Sequence, residues 1–371
     1  MTREEYRAAM ADVIYLCSCA LRGETPDAAR VSGMDLARLY EAAERHQLSC
    51  ISGYALEAAG LRDPAFVQAK AKAIRKNILL DAERAAVLRA LDEAGIWYMP
   101  LKGSVLKELY PAVGMRQMAD NDILFDASRA EDVRRIMEQQ GFQTVEYDTG
   151  NHDSYSKEPV FEFEMHRALF DPVYNDSLFS YYQNIKDRLL KDEGKDCAYH
   201  FSAEDFYLYM IAHEYKHYSG SGTGLRSLLD TFVYWKHFES QLDEGYIAAE
   251  AEKLGMADFE KQNRSLALHL FKNEALSESE EKMLDYILFS GTYGTEGNRA
   301  RNQIKKRGRF GYLFIRLFHP YKEMVKSYPI LKKLPFLLPF FWPIRIVSAL
   351  ITKPKKVFLQ LGAAFRPTEE E

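Results

Sequence analysis

Two aspartates, Asp120 and Asp122, are the residues whose type and spacing most clearly suggest chemistry. They stand at the start of the apolar run 123–125, which predicts a β-strand. Side chains two residues apart in a strand point to the same face, so both carboxylates can share hard divalent cations such as Mg²⁺. A third acid on a neighbouring strand would complete a two-metal site, and Glu164 is the candidate. The alternative is a pair of aspartates that caps a turn or lies at a solvated strand edge.

The turn that precedes these aspartates contains residue types suited to binding phosphate. Apolar and aromatic residues at 96–101 predict a short strand, and Lys102, Gly103 and Ser104 predict a tight turn followed by a helix. Glycine lets the backbone approach a phosphate closely, and the N-terminal amides of a helix favour anions. Arg116 adds a positive charge upstream of the acids. The pattern therefore predicts a site for a phosphate-bearing ligand.

Glu164 lies in segment 159–169, where apolar and polar residues alternate as in a half-buried strand. The polar face of that strand carries Glu162, Glu164 and His166. We expect Glu164, with Glu162 behind it, to face the metal ions.

Helical patterns surround these short strands. Apolar residues recur at spacings of three and four in 1–95, and residues 63–94 predict one long helix closed by Gly95. Helices are predicted again over 202–289, whereas the glycine- and charge-rich segment 290–310 predicts a linker. We expect an α+β, mostly helical protein. The predicted regions are an N-terminal helical region (1–95), an α+β region (96–200), a C-terminal helical domain (201–298) and a basic, proline-broken aromatic tail (299–371).

Three segments resemble one family: LKGSVLKELYP (101–111), RQMADNDILF (116–125) and FEFEMHRAL (161–169). They are similar to the nucleotidyltransferase 5 family, a distant branch of the polymerase-β-like superfamily. The resemblance implies that 96–200 is a small mixed-sheet nucleotidyltransferase palm flanked by N-terminal and C-terminal helical regions. Two features depart from the family pattern: Asn121 stands where an apolar residue is usual, and the third acid is Glu164 rather than aspartate.

The resemblance also implies an activity, the transfer of a nucleoside monophosphate from an NTP such as ATP to an unknown acceptor, a small molecule or a protein. Two Mg²⁺ or Mn²⁺ ions would assist the reaction. The implied catalytic and metal-binding residues are Asp120, Asp122 and Glu164; the implied nucleotide-binding residues are Lys102, Gly103, Ser104 and Arg116, with His166 as an accessory residue.

A competing motif, HExxH, runs from His213 to His217. On a helix this motif would place two imidazoles on one face and predict a zinc-dependent hydrolase, but the extended motif needs a ligand at position 223, which is Thr223. The alternative is a helix that packs through these histidines. Arg226 either pairs with Asp230, four residues later, or reaches phosphate. A noncatalytic binding module that retains only the fold is a third hypothesis.

The composition excludes disordered and low-complexity classes, since 47% of the 371 residues are hydrophobic and 28% are charged. The four cysteines form no CxxC pair and the N-terminus lacks a signal-peptide pattern, so we expect a cytoplasmic protein. No stretch of about 18 uninterrupted apolar residues occurs, so we expect no ordinary transmembrane helix.

The charge is unevenly distributed. Residues 299–356 contain fifteen basic residues and the single acid Glu323, a net charge of +14, which leaves −19 of the total −5 for the remainder. An acidic body makes nucleic acid an improbable partner. Six prolines between Pro320 and Pro354 predict that the tail contains no long helix. We expect the tail to pack on the acidic helices; contact with a membrane surface, and hence a peripheral membrane location, is the alternative.

Overall fold

The segment rich in alanine, leucine and arginine forms one 30-residue helix, Pro64–Glu93, as predicted. Asp63 caps it by accepting hydrogen bonds from the backbone amides of Ala65 and Phe66, and Gly95, with φ 64°, follows its end. The computed structural model that shows this helix describes residues 1–172, 176–352, 354 and 362.

All of the secondary structure in residues 1–93 is α-helix. The bounds are α1 Arg3–Arg22, α2 Ala28–Ser32, α3 Leu36–Arg45, α4 Ser49–Ala58 and α5 Pro64–Glu93. Strands and short helices follow: β1 Tyr98–Pro100, α6 Gly103–Leu106, β2 Asn121–Phe125, α7 Ala130–Gln139, β3 Gln143–Glu146, β4 His152–Lys157, β5 Phe161–His166, α8 Asp176–Tyr181, β6 Leu190–Lys191 and β7 Tyr199–His200. Helices then continue with α9 Ala203–Tyr218, α10 Leu225–Phe238, α11 Glu244–Lys253, α12 Ala257–Lys272, α13 Glu278–Ser290, α14 Glu296–Leu317, α15 Tyr321–Ser327 and α16 Leu338–Thr352. The predicted α+β, mostly helical fold is confirmed.

A five-stranded mixed sheet has the order β1-β2-β5-β4-β3. Strand β2 runs antiparallel to β1 and parallel to β5, and β4 runs antiparallel to both β5 and β3. One face of the sheet packs on α5 and α7 around a core that includes Ile123, Phe163, Met165, Leu80 and Val133. Because strand side chains alternate, the residues between these core positions project from the opposite face.

Strands β3 and β4 were not predicted. Their sequences, QTVE and HDSYSK, are mostly polar, and β3 is an exposed edge strand. Pairing with β5 on one side and β3 on the other holds the polar segment β4 in an extended conformation.

The chain divides into two compact units. The first comprises residues 1–213 and 225–288, and the second comprises 214–224 and 289–371. The sheet and helices α1 to α8 and α10 to α12 belong to the first unit, and α14 to α16 belong to the second. The predicted four-region division stays a prediction.

The predicted linker at 290–310 is wrong, because α14 begins at Glu296. Thr295 starts this helix by accepting a 3.0 Å hydrogen bond from the backbone amide of Asn298. Gly308, with the non-helical angles φ 70° and ψ 166°, divides α14 into two helical segments at a kink.

The prediction that prolines exclude a long helix from the tail is also wrong, since α16 spans 15 residues. Pro339 lies in the first turn, where a helix needs no amide donor, and Pro343 removes one hydrogen bond from the interior. Lys353, Lys355 and Lys356 of the predicted basic tail lie outside the described residues.

One stretch of the described residues bears on the expectation that the chain has no ordinary transmembrane helix. By length and composition, Pro335–Thr352 could cross a membrane, and none of this stretch is buried. Arg345 is the single charged residue within Pro335–Thr352, and the stretch as a whole remains apolar. The side chains of Phe336 and Phe340 are exposed, whereas those of Phe341 and Trp342 are half-buried. Packing of the tail on the acidic helices stays a prediction.

Candidate functional site

The turn after β1 is tightly constructed. Lys102 has the unusual dihedral angles φ 43° and ψ −112°, and the Leu101 amide donates a 2.9 Å hydrogen bond to the carbonyl of Asp122. A Cβ at Gly103 would lie 2.6 Å from Nη1 of Arg116 and 2.9 Å from Sδ of Met118. A larger residue at position 103 would therefore have to displace the side chains of Arg116 and Met118.

The hydroxyl and amide of Ser104, which the sequence suggested for binding phosphate, are both bonded within the turn. Its hydroxyl donates a 2.8 Å hydrogen bond to the carbonyl of Leu101, and its amide donates to the same oxygen. Helix α6 is also only four residues long. The turn thus positions Lys102, while the phosphate-binding role of Ser104 stays a prediction.

Sheet pairing brings the predicted acids together. In the parallel register of β2 and β5, Asp122 lies opposite Glu164. In the antiparallel register of β4 and β5, His152 lies opposite His166. Four side chains from three adjacent strands therefore share the sheet face that does not pack on α5.

Asp122 is the buried centre of this arrangement. Its Oδ1 accepts 2.8 Å hydrogen bonds from Nζ of Lys102 and from Nε2 of His166. Burial acts to raise the pKa of Asp122, but the Lys102 charge and the His166 hydrogen bond outweigh burial and hold that pKa well below its usual range. His166, predicted on the polar face of its strand, is buried there, and its hydrogen bonds to Asp122 and Glu164 raise its pKa despite the opposing effect of burial.

Asp120 has the opposite electrostatic environment. Burial, reinforced by the negative charges of Asp122 and Glu164, raises the pKa of Asp120 to about 6. Three carboxylates thus lie close enough to repel one another. A divalent cation would relieve this repulsion, so the donor set fits a metal ion.

A residue that the sequence did not reveal joins the cluster. Among the described residues, possible metal-ligand atoms of His152, Glu164 and His166 all lie within 4.8 Å of one another. Nδ1 of His152 is buried and has no hydrogen-bond partner in the described part of the chain. No sequence motif marks His152; only the pairing of β4 with β5 places it here.

Tyr209, on α9, is a second residue that the sequence did not reveal. Its side chain is fully buried, and its hydroxyl has no hydrogen-bond partner among the residues that the structure describes. Burial raises the pKa of Tyr209, and the charges of Lys102, Asp122 and Glu164 also influence it. A buried hydroxyl without a partner beside this cluster suits a ligand that would accept or donate a hydrogen bond.

Arg116 forms a buried ion pair. Its Nε and Nη2 donate to the two carboxylate oxygens of Asp230 at 2.7 and 2.8 Å, and the Tyr110 hydroxyl donates to Oδ1 at 2.8 Å. Arg116 and Tyr110 therefore hold Asp230. Arg226 donates to the side chain of Gln47 and to the carbonyl of Gln117, and its charge lowers the pKa of Asp120 against the larger effect of burial. Roles for Arg116 and Arg226 in binding phosphate stay predictions.

The contacts of Asn121 show why a polar residue is accommodated where the family usually has an apolar one. Its Nδ2 donates a 3.1 Å hydrogen bond to the carbonyl of Leu80, and its Oδ1 accepts a 3.0 Å hydrogen bond from Arg84. The polar side chain thus ties β2 to α5 from the core face of the sheet.

The HExxH motif lies on α9, as predicted. Glu214 is buried, His213 is half-buried and His217 is exposed. In the described part of the chain, the cluster of possible metal ligands is the one on the sheet, and it includes neither motif histidine. The geometry gives the zinc-hydrolase alternative no support.

The sequence model of a family described as "Uncharacterised nucleotidyltransferase" matches residues 32–272. No curated protein matches the chain. Among solved structures, an antigenic nucleotidyltransferase-like protein from Paracoccidioides brasiliensis is similar over 53% of this chain and 94% of its own, with 14% identity and a TM-score of 0.33.

Proposed function

The chain belongs to this nucleotidyltransferase family, and from that premise we propose that it transfers a nucleoside monophosphate from an NTP to an acceptor. The observation that carries the proposal is the register that places Asp122 opposite Glu164, with Asp120 close enough for its pKa to rise to about 6. The proposed acceptor is a small molecule or a protein. Nucleic acid is not proposed as a partner, because the body of the chain is acidic.

The proposed reaction is a displacement at the α-phosphorus of the NTP. An acceptor oxygen forms a bond to that phosphorus as the bond to the pyrophosphate leaving group breaks. The acceptor's proton passes to Glu164, for which the His166 hydrogen bond and the Lys102 charge lower the pKa against the raising effect of burial. Glu164 is consequently ionised at neutral pH and able to accept a proton.

Two divalent ions, Mg²⁺ or Mn²⁺, are part of the proposal. Asp120, Asp122 and Glu164 would hold them, with His152 and His166 as possible nitrogen ligands. When bound, such ions lower the pKa of an attacking oxygen and neutralise charge on the leaving pyrophosphate. Imidazole is a better ligand for Mn²⁺ than for Mg²⁺, so we expect Mn²⁺ to bind more tightly.

The chain's other side chains would bind and orient the triphosphate. The buried ammonium of Lys102 is the cation in contact with Asp122, and burial of Lys102 is outweighed by that carboxylate, which raises the pKa of the lysine. Lys102 therefore keeps its charge beside the phosphates at every physiological pH. The Tyr209 hydroxyl, which has no partner among the described residues, would provide a further hydrogen bond to the triphosphate.

Transfer can be measured with each of the four α-labelled NTPs, supplied with Mg²⁺ or Mn²⁺ and a fractionated cell extract as the source of acceptor. We expect label to enter one class of acceptor and Glu164→Gln to reduce the rate by at least about a hundredfold, since a base and a metal ligand are lost together. Glu162→Gln is the matched control, because Glu162 lies two residues away on the same face of β5 but is exposed. It should keep nearly full activity.

Asp122→Asn should abolish transfer in the same assay. It must be compared at a temperature where circular dichroism shows both proteins folded, because Asp122 also receives two hydrogen bonds. Wild-type turnover in Asp122→Asn, or equal losses in Glu164→Gln and Glu162→Gln, would contradict the proposed function.

A further inference from the structure

Exposed apolar side chains are concentrated in the second unit. Of the twenty-two large hydrophobic residues that are exposed in the described part of the chain, thirteen lie between Phe310 and Ile351. A folded protein in water rarely leaves such a density of apolar side chains uncovered without a partner.

Helix α16 has two different faces. Its inner face is held within the unit: Nε1 of Trp342 donates a 2.9 Å hydrogen bond to the carbonyl of His319, the Phe341 ring lies 4.9 Å from that of Tyr328, and Arg345 donates to the carbonyl of Arg316. The apolar face, defined as Phe340, Ile344, Val347 and Ile351, repeats at spacings of four, three and four and is exposed by 50 to 75%.

Basic side chains accompany these exposed apolar ones. Within the second unit, residues 299–352 contain twelve basic residues and only one acid, Glu323. The exposed members of this basic group include Lys305, Lys306, Arg307, Arg309, Lys322, Lys326, Lys332 and Lys333.

We propose that the apolar face of α16 docks on the surface of a lipid bilayer that contains anionic lipids. The stretch Pro335–Thr352 has the length and composition to enter a membrane and is not buried, and the surrounding positive charge complements acidic headgroups. A second copy of this unit is the less suitable occupant, because docking it would bring two strongly basic segments together. Nucleic acid would match the charge but not the apolar side chains.

The helix lies in the plane of the membrane. The inner face of α16 is bonded within its own unit, so lipid cannot surround the helix on all sides as it would surround a spanning helix. Trp342 and Arg345 remain bonded to backbone carbonyls of the same unit, so only the apolar face enters the acyl region.

Vesicle co-sedimentation of the full chain tests this proposal. We expect binding to phosphatidylcholine vesicles containing phosphatidylserine, at least about tenfold weaker binding to phosphatidylcholine alone, and weaker binding as salt increases. The double variant Phe340→Ser/Ile344→Ser should lose at least about tenfold in binding to the anionic vesicles. The matched control is Val67→Ser/Ile78→Ser, which removes two exposed apolar side chains from α5 and should bind like the wild type.

Several results would overturn the proposal: no binding of the wild type, equal binding to both vesicles, or unchanged binding by the α16 variant. Sedimentation velocity tests the other occupant, since a dimer that dissociates in the α16 variant would mean that a second copy covers this face. Thermal melts of both double variants show whether each remains folded. If the α16 variant unfolds, Val347→Thr/Ile351→Thr on the same apolar face replaces it, and unchanged vesicle binding by that folded variant would equally overturn the proposal. Membrane docking stands apart from the proposed transferase activity, so either can fail alone.

Discussion

The carboxyl group of Asp120 has an environment that opposes its charge. Its pKa of about 6 in the folded protein lies above the ordinary 3.8, so the folded state binds the proton more tightly than the unfolded state does. The resulting penalty is absent below about pH 4, grows as the pH rises and is complete above about pH 6.

Asp120→Asn should therefore stabilise the metal-free protein at pH 7.5 by on the order of 2 kcal/mol, because the amide cannot ionise. Denaturant unfolding in EDTA, at pH 7.5 and at pH 4.5, measures the effect. The gain should largely disappear at the lower pH. With Mn²⁺ present the order should reverse, since the wild type alone has the full set of carboxylate ligands.

The Tyr209 hydroxyl supports a second prediction for a single residue. Tyr209→Phe removes a buried hydroxyl that has no hydrogen-bond partner among the described residues, so stability should be unchanged or higher by about 1 kcal/mol. If this hydroxyl contacts the nucleotide, NTP binding should weaken by about tenfold. Calorimetric titration with a nonhydrolysable NTP checks the affinity, and wild-type affinity would exclude Tyr209 from the site.

At the scale of an element, the turn between β1 and α6 depends on Gly103. A methyl group there would meet Arg116 and Met118 at less than 3.0 Å, and the ion pair of Arg116 with Asp230 restricts how far that arginine can move. Gly103→Ala should therefore destabilise the fold by about 1 to 3 kcal/mol. Gly297→Ala in α14 is the control, since its Cβ would meet nothing nearer than 3.9 Å. Equal unfolding midpoints for the two variants would contradict this account of the turn.

At the scale of the whole molecule, His46 connects helices that are far apart in sequence. Its Nδ1 accepts a 2.9 Å hydrogen bond from the backbone amide of Leu225, and its Nε2 lies 2.8 Å from the Tyr6 hydroxyl and 3.2 Å from the carbonyl of Leu288. An imidazole that accepts at Nδ1 must be neutral there. Burial accordingly lowers the pKa of His46 to about 4.

Protonation of His46 should weaken the first unit in acid. Because its folded pKa lies below the ordinary 6.5, stability is complete above about pH 6.5 and decreases as the pH falls toward 4, by about 3 kcal/mol in total. Unfolding free energies of the wild type and His46→Gln, measured from pH 7 to pH 4, isolate this contribution. The difference between the two proteins should shrink as the pH falls; a constant difference would contradict the prediction.

What the sequence determined by itself is local. The helix Pro64–Glu93 follows from the residues that form it, with Asp63 at its start and Gly95 after its end. The period of two in strands placed Glu164 and His166 on one face, and the strand, turn and helix around Gly103 were recognised from their residue types. These features depend on neighbours within a few residues, and side-chain type and spacing encode such interactions directly.

Tertiary structure alone decided which distant groups meet. The parallel pairing of β2 with β5 sets Asp122 against Glu164, and the polar strand β4 brings in His152, a residue that no motif marks. Arg116 was available for phosphate in the sequence but pairs with Asp230, 114 residues away. The glycine and proline content of the C-terminal segment likewise failed to predict α14 and α16. The cap at Thr295 starts α14, and Pro339 lies in the first turn of α16, where proline is tolerated. Contacts between residues far apart in sequence form only when the chain folds. Their positions therefore follow no periodic pattern that could be recognised along the sequence.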